Sequence, residues 1–284
     1  MKKEYSQKDT QPALDTVRAL IDSAQAVVAG IGAGMSTSAG LVYDGENFTR
    51  HFSDFEQRFG FHDMYTGGFY PFPDDETKWA YWSRFIYLNR YEPGPLEPYT
   101  DLLRILKDKD FFVITTNVDH QCQKAGFDKN RLFYTQGDYG LFQCSLPCHT
   151  GTYDNEAAVR AMLSQQHDMR IPPDLIPRCP VCGRKMSMNL RSDSTFVEDS
   201  GWHEASKRYV SFLNEHRNDK VVYLELGVGF NTPGIIKYPF WQLTERNRKA
   251  FYITVNQGQA YAPGEILERS ICIDGDIGEV LKQL

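Results

Sequence analysis

Leu14, Val17, Leu20/Ile21 and Ala24 fall on one side of a 3.6-residue period, which predicts an amphipathic first helix. The apolar run Ala26-Val27-Val28-Ala29 then breaks into Gly30-Ile31-Gly32-Ala33-Gly34, a buried strand entering a glycine-rich turn. Apolar runs of strand length recur at Phe111–Thr115, Leu132–Thr135, Val221–Leu226, Phe251–Val255 and Ile271–Ile273. Helical patterns lie between them, as in Leu102-Leu103 with Ile105-Leu106 and Tyr209-Val210 with Phe212-Leu213. Continuous apolar strands alternating with helices predict an α/β fold, a Rossmann-like parallel sheet with helices on both faces. Two stretches break the rhythm. From Phe48 to about Pro98 no strand is evident, but Phe52, Phe55, Phe59, Phe61, Trp79, Trp82 and Phe85 crowd together, the last three spaced as a helical stripe. They read as the core of a helical insertion rather than a ligand cage. The second break, Cys144 to Cys182, contains Pro172-Pro173 and Pro177.

Composition narrows the class. The 284 residues have room for one large domain and a smaller insertion, and the 41% of them that are hydrophobic are enough for a full core. The net charge of −6 argues against a phosphate-tracking surface, so nucleic acid is not an expected partner. No apolar run approaches the roughly 18–20 residues that span a bilayer. Met1-Lys2-Lys3-Glu4-Tyr5 has no apolar stretch behind it, so no signal peptide is read and a cytoplasmic location is expected.

Reduced cysteines suit that location. Cys122 and Cys272 stand alone among apolar residues and read as buried thiols. Cys144/Cys148 and Cys179/Cys182 form two close pairs separated by a loop, a spacing whose thiolates can converge on a tetrahedral zinc. Four protein ligands leave no open position, so the zinc is expected to be structural. His149 is an alternative ligand. The predicted organisation is a Rossmann domain of residues 1–45, 99–142 and 188–284, a helical insertion of 46–98, and a zinc-binding module of 143–187, the last two making a small domain.

Glycines let a backbone approach a pyrophosphate closely, at the positive end of the following helix. Here the turn continues as Gly32-Ala33-Gly34-Met35-Ser36-Thr37-Ser38-Ala39-Gly40. The ordinary dehydrogenase pattern, with an acidic residue about 20 positions on, fits less well. The string resembles the first NAD-binding motif of the sirtuin family. Thr115-Thr116-Asn117-Val118-Asp119 is similar to that family's catalytic stretch, with Thr116 where glutamine usually stands, and Ala125-Gly126 follow at its spacing. Gly227-Val228-Gly229-Phe230-Asn231-Thr232-Pro233 resembles the third motif without its threonine-serine pair. Val255-Asn256 and Gly275-Asp276-Ile277 are fainter matches, and sirtuins carry a zinc module at the position of the cysteine pairs. The resemblance runs from Ala26 to Leu284. It implies NAD as co-substrate, with Gly32, Ala33, Gly34, Ser36, Thr116, Asn117, Asp119, Gln136, Gly227, Gly229, Asn231, Asn256 and Ile277 as its binding residues.

The departures are as informative. Deacylating sirtuins carry a histidine-glycine pair after the third strand; here the pair is Gln136-Gly137. Imidazole takes a proton from the ribose near neutral pH, and a carboxamide cannot. NAD cleavage needs no such base, because an oriented ribose in a dry, preorganised site favours loss of nicotinamide. Val42-Tyr43-Asp44-Gly45 replaces the deacylase segment after the first motif, and Phe196-Val197-Glu198-Asp199 replaces the acyl-lysine groove. Arg191 is either a surface charge or a holder of an anionic group or acceptor, and Asp138 is a second candidate for handling a proton.

This set resembles the class M sirtuins, a microbial branch associated with macrodomain proteins. The resemblance implies a protein ADP-ribosyltransferase with Asn117, Asp119, Gln136 and Arg191 in catalytic roles. Its implied target is a lipoylated carrier protein resembling the glycine-cleavage H protein, with a macrodomain hydrolase as functional partner. An NAD glycohydrolase and a non-catalytic NAD sensor are the alternatives; a sensor has no use for Asn117 or Asp119. Deacylation ranks last.

Overall fold

The computed structural model describes residues 7–284. Helix α1 (Gln7–Ser23) leads into β1 (Ala26–Ile31), the glycine turn and the short α2 (Ala33–Ser38). Then follow α3 (Gly45–Phe59), α4 (Met64–Gly68), α5 (Asp75–Ile86) and a single π-helical turn, Tyr87–Tyr91. Helix α6 (Glu97–Leu106) returns the chain to β2 (Phe111–Thr115), α7 (Gln121–Lys124) and β3 (Leu132–Tyr134). Strands β4 (Gly137–Cys144) and β5 (Tyr153–Asp154), helix α8 (Glu156–Gln165) and β6 (Met186–Leu190) come next. The remainder is α9 (Ser200–Glu215), β7 (Val221–Leu226), α10 (Lys237–Arg246), β8 (Phe251–Val255), β9 (Ser270–Ile273) and α11 (Ile277–Gln283).

Every strand expected from an apolar run is present. Six of them form one sheet in the order β3-β2-β1-β7-β8-β9, all neighbours parallel. Alternation along the strands divides the core. Val27, Ala29 and Ile31 face Leu14 and Val17 of α1, Leu102 and Leu106 of α6, and Leu281 of α11. Ala26 and Val28 face Tyr209 and Phe212 of α9 and Phe240 of α10. Both faces are covered, so the strands read as unbroken apolar runs.

A second, smaller lobe has its own core. Phe48, Phe52, Phe55, Trp79, Tyr81 and Phe85 pack with Tyr139, Phe142, Cys144, Met162 and Met186, so the helical insertion and the cysteine region share one interior. The aromatic stripe is structural: Trp79, Trp82 and Phe85 are all buried. The antiparallel sheet β5-β4-β6 was not foreseen. Its strands β4 and β6 run through positions 142/143 and 187/188, so the expected module edges fall inside strands rather than between elements. Cys122 is buried as expected, whereas Cys272 is only half-buried because β9 is the edge strand.

Candidate active site

The strand order reverses between β1 and β7, where the chain leaves on one side for β2 and β3 and returns on the other for β7, β8 and β9. Open α/β sheets bind ligands in the crevice outside the carboxyl ends of the strands at such a switch point. Every residue expected to bind NAD lies at that end: Gly32–Ser36 after β1, Thr116–Asp119 after β2, Gln136 after β3, Gly227–Asn231 after β7, Asn256 after β8 and Ile277 after β9.

The loops after β1 and β7 interlock. A Cβ on Gly32 would lie 2.6 Å from the Gly227 carbonyl oxygen, and one on Gly34 would lie 2.7 Å from the Gly227 Cα. Gly227 itself has φ +69°, and a Cβ on it would meet the Met35 nitrogen at 2.5 Å. The Gly32 and Gly34 amides donate to Leu226 and Gly227 carbonyls at 2.9 and 3.0 Å. These three glycines are therefore required by backbone packed on backbone, in addition to any approach of a pyrophosphate.

Asn117 is fixed from below. Its Nδ2 donates to the Gly32 carbonyl (2.9 Å), the Ser36 hydroxyl (3.0 Å) and the Tyr99 hydroxyl (3.0 Å). Gly32 can only accept, which settles which end of the amide faces it. The Oδ1 oxygen has no hydrogen-bond partner among the described residues. It is the end available to a ligand. Ser36 also donates to Asp119 at 2.5 Å and lies 2.8 Å from the Tyr99 hydroxyl. Asp119 is 5% exposed and accepts from the Gln121 amide at 3.0 Å. Burial raises its carboxyl pKa, opposed by the Ser36 and Gln121 hydrogen bonds. Asn117, Ser36, Tyr99 and Asp119 thus make one network beneath the crevice. Tyr99 is not among the residues the sequence singles out; its hydroxyl role becomes visible when α6 packs beneath α2.

Gln136 is half-buried and its side chain makes no hydrogen bond among the described residues. Its carbonyl accepts from the Arg191 amide at 3.1 Å, so Arg191 lies beside it. The Arg191 guanidinium donates to Glu198 at 3.0 Å and sits over the rings of Phe196 and Trp202. The segment that replaces the deacylase groove therefore wraps Arg191. The other expected residues are simpler. Thr116 holds the Ile31 carbonyl through its amide at 3.0 Å, and buried Asn256 donates to the Val228 carbonyl at 3.0 Å. Gly229 is half-buried and Asn231 exposed, while Ile277 is core. Ala33 opens α2.

Asp138, the second proton-handling candidate, has two partners that were not among the expected residues, His120 and Arg90. It is 4% exposed, accepts from Arg90 Nε at 2.7 Å and the Gly140 amide at 2.7 Å, and its second oxygen meets His120 Nδ1. Burial would raise the Asp138 pKa, but His120 and Arg90 outweigh it and hold the carboxyl below its ordinary value. The only sequence signal for His120 was its place directly after Asn117-Val118-Asp119.

In the small lobe the sulfurs of Cys144, Cys148, Cys179 and Cys182 all lie within 4.8 Å of one another. Cys144–Cys182 and Cys148–Cys179 stand 3.6 and 3.7 Å apart. Four sulfurs on a tetrahedral zinc, about 2.3 Å from it, stand roughly 3.8 Å apart, and a disulfide would need about 2.05 Å. The donor set fits zinc. His149 is outside it, its Nδ1 3.1 Å from the Cys148 sulfur and its Nε2 2.8 Å from the Tyr153 hydroxyl.

No family model matches the chain. Its fold is that of the sirtuins: a Sir2 homolog–NAD complex superposes with a TM-score of 0.61 at 17% identity, covering 95% of this chain and 91% of that one. A mutant Sir2 homologue with 2'-O-acetyl ADP ribose gives 0.62 at 17% identity, covering 95% and 94%. Sequence goes further. The chain is 41% identical over 268 residues, 94% of its length and 85% of the other's, to a protein ADP-ribosyltransferase of Staphylococcus aureus. It is 33% identical over 291 residues to a probable bifunctional ADP-ribose hydrolase/ADP-ribosyltransferase of Fusarium oxysporum, matching 96% of this chain but spanning only 48% of that protein. The chain belongs to the protein ADP-ribosyltransferases built on the sirtuin fold.

Proposed function

We propose that this protein cleaves the nicotinamide–ribose bond of NAD and transfers ADP-ribose to a protein acceptor. The observation that carries the reading is the Asn117–Ser36–Tyr99–Asp119 network beneath the switch point, with a carboxamide rather than an imidazole at 136. Asn117 Oδ1 orients the ribose, and the glycine loops and the start of α2 receive the pyrophosphate. Gln136 hydrogen-bonds the sugar without taking its proton, so deacylation stays absent or weak. Arg191, released from Glu198, holds an anionic group or the acceptor. Asn231, Asn256 and the α11 start at Ile277 bound the adenosine side. Zinc on the four cysteines fastens the small lobe and takes no part in the chemistry.

The acceptor we assign is a lipoylated carrier protein, from the family resemblance set out above. A macrodomain hydrolase is the assigned partner; the pairing of hydrolase and transferase in the name of the Fusarium relative agrees with it. No described helix is long and apolar enough to cross a membrane, which agrees with a cytoplasmic assignment. Incubation with labelled NAD and carrier protein, lipoylated or not, tests the reading. Label on the lipoylated carrier is expected. Free ADP-ribose alone indicates a glycohydrolase, and intact NAD indicates a sensor. Asn117→Ala should abolish nicotinamide release while the melting temperature stays near the parent's.

A further inference from the structure

We propose that His120, held by Asp138, is the proton acceptor for a hydroxyl of the nicotinamide ribose, in place of the imidazole that position 136 lacks. The inference rests on the NAD-cleaving reading above and deepens it: cleavage can proceed without a base, and His120 accelerates it. His120 follows β2 directly after Asn117-Val118-Asp119, and Asp138 lies two residues past Gln136. The Tyr139 amide donates to the Val118 carbonyl at 2.9 Å, which binds the loop after β2 to the start of β4 and brings the two side chains together. Both stand at the carboxyl end of the sheet, where the ligand crevice lies.

The pair is built as a base and its orienting carboxylate. Asp138 is 4% exposed and can only accept when ionised, so a neutral His120 donates from Nδ1 and keeps its lone pair on Nε2. Nε2 has no partner among the described residues, and the imidazole is 29% exposed. His120 has φ +68°. A non-glycine residue held there is strained, and such strain concentrates at functional sites. Asp138 is also pinned by Arg90 (13% exposed), which comes from the π-helical turn Tyr87–Tyr91; single π turns recur at functional sites. The charged groups facing the imidazole are Asp138 from β4 and Asp119 from its own stretch of chain, and Arg90 from that turn shares Asp138 with it.

The step balances without a co-reactant. As the bond from C1″ to nicotinamide breaks, its electron pair leaves on nicotinamide, which departs neutral. The ribose hydroxyl proton passes to His120 Nε2, and the oxygen left behind offsets the positive charge on the sugar. When the acceptor bonds to C1″, the acceptor's own proton passes to the ribose oxygen, and His120 Nε2 releases the proton it took to solvent. The acceptor's chemistry is not constrained by this scheme.

His120→Asn is the test variant, because asparagine tolerates positive φ and its amide still donates to Asp138. The measurement is nicotinamide release by the full chain across pH 5–9, with NAD affinity and melting temperature recorded alongside. In the parent, release should fall on the acid side of the profile. In His120→Asn it should drop about 100-fold, within the range a general base contributes, with the acid limb gone and NAD affinity within a few-fold. Added imidazole should partly restore His120→Gly. With an NAD analogue bearing fluorine in place of the ribose hydroxyl next to C1″, parent and His120→Asn should react alike. A parent-like rate and acid limb in His120→Asn overturns the assignment, as does a loss that simply tracks affinity or melting temperature. A parent that releases no nicotinamide at all overturns the NAD-cleaving reading instead.

Discussion

At the scale of single residues, backbone geometry at Gly137 and charge at Asp138 each lead to an expected outcome. Gly137 keeps the register of the motif that in deacylases carries histidine, and its geometry explains why. It has φ +92°, and a Cβ on it would lie 1.9 Å from the Asn189 carbonyl oxygen. Gly137→Ala should cost at least about 1–3 kcal/mol from backbone strain alone, read as a lowered melting temperature and weakened β4–β6 pairing in hydrogen exchange. Asp138 makes a prediction about pH. Its folded carboxyl is held below the ordinary range, so it contributes stability that is fully present above the unfolded value of about 3.9 and is lost as pH falls through the lower folded value. Thermal melts of parent and Asp138→Asn should differ at pH 7 and still at pH 5, and the gap should close in stronger acid. A gap that instead closes between pH 7 and 5 would assign the effect to another group.

At the scale of elements, the small lobe depends on a staple. Cys144 ends β4 and pairs in register with Met186 at the start of β6, while the Cys179–Cys182 turn closes through a Gly183 amide donating to the Cys179 carbonyl at 2.8 Å. A metal bound here joins the β4–β6 sheet to the loop that returns from α8. Metal binding to such a set is itself folding free energy. One zinc per chain is expected by elemental analysis. Cys179→Ser should lower solubility and melting temperature while leaving the side chains around Asn117 in place. Metal-free protein that melts like the parent would remove the staple from the account. The aromatic core of α3 and α5 explains why the lobe needs only one: it already has an interior in Trp79, Tyr81, Phe52 and Phe55.

At the scale of the whole molecule, the proposed reactivity depends on more than position 136. Gln136→His should leave acetyl-lysine peptides uncleaved. The segment that would form their groove is tied down elsewhere. Val197 is buried, receives the Asn189 amide at 3.0 Å, and donates to Gln143 at 2.9 Å. Asp199 caps α9 and accepts from Thr152 at 2.6 Å. A base contributes only when the acyl group is already positioned against the ribose. Efficient deacetylation by the single variant would show that the groove persists. Much of this architecture was legible in the chain itself: the apolar runs of β1, β2, β3, β7, β8 and β9, the glycine turn, the paired cysteines and the aromatic insertion each announce themselves by local pattern. Packing decided the rest. The β5-β4-β6 sheet is short and mixed in polarity, so no periodicity marks it. The buried pair Lys237–Glu225, 2.5 Å apart, has no mark in the local pattern. Tyr99 beneath Asn117, and His120 on Asp138 18 positions away, are partners only because separate strand ends converge. Local pattern records which face of an element is apolar; which distant polar atoms then meet is set by the order in which the strands assemble.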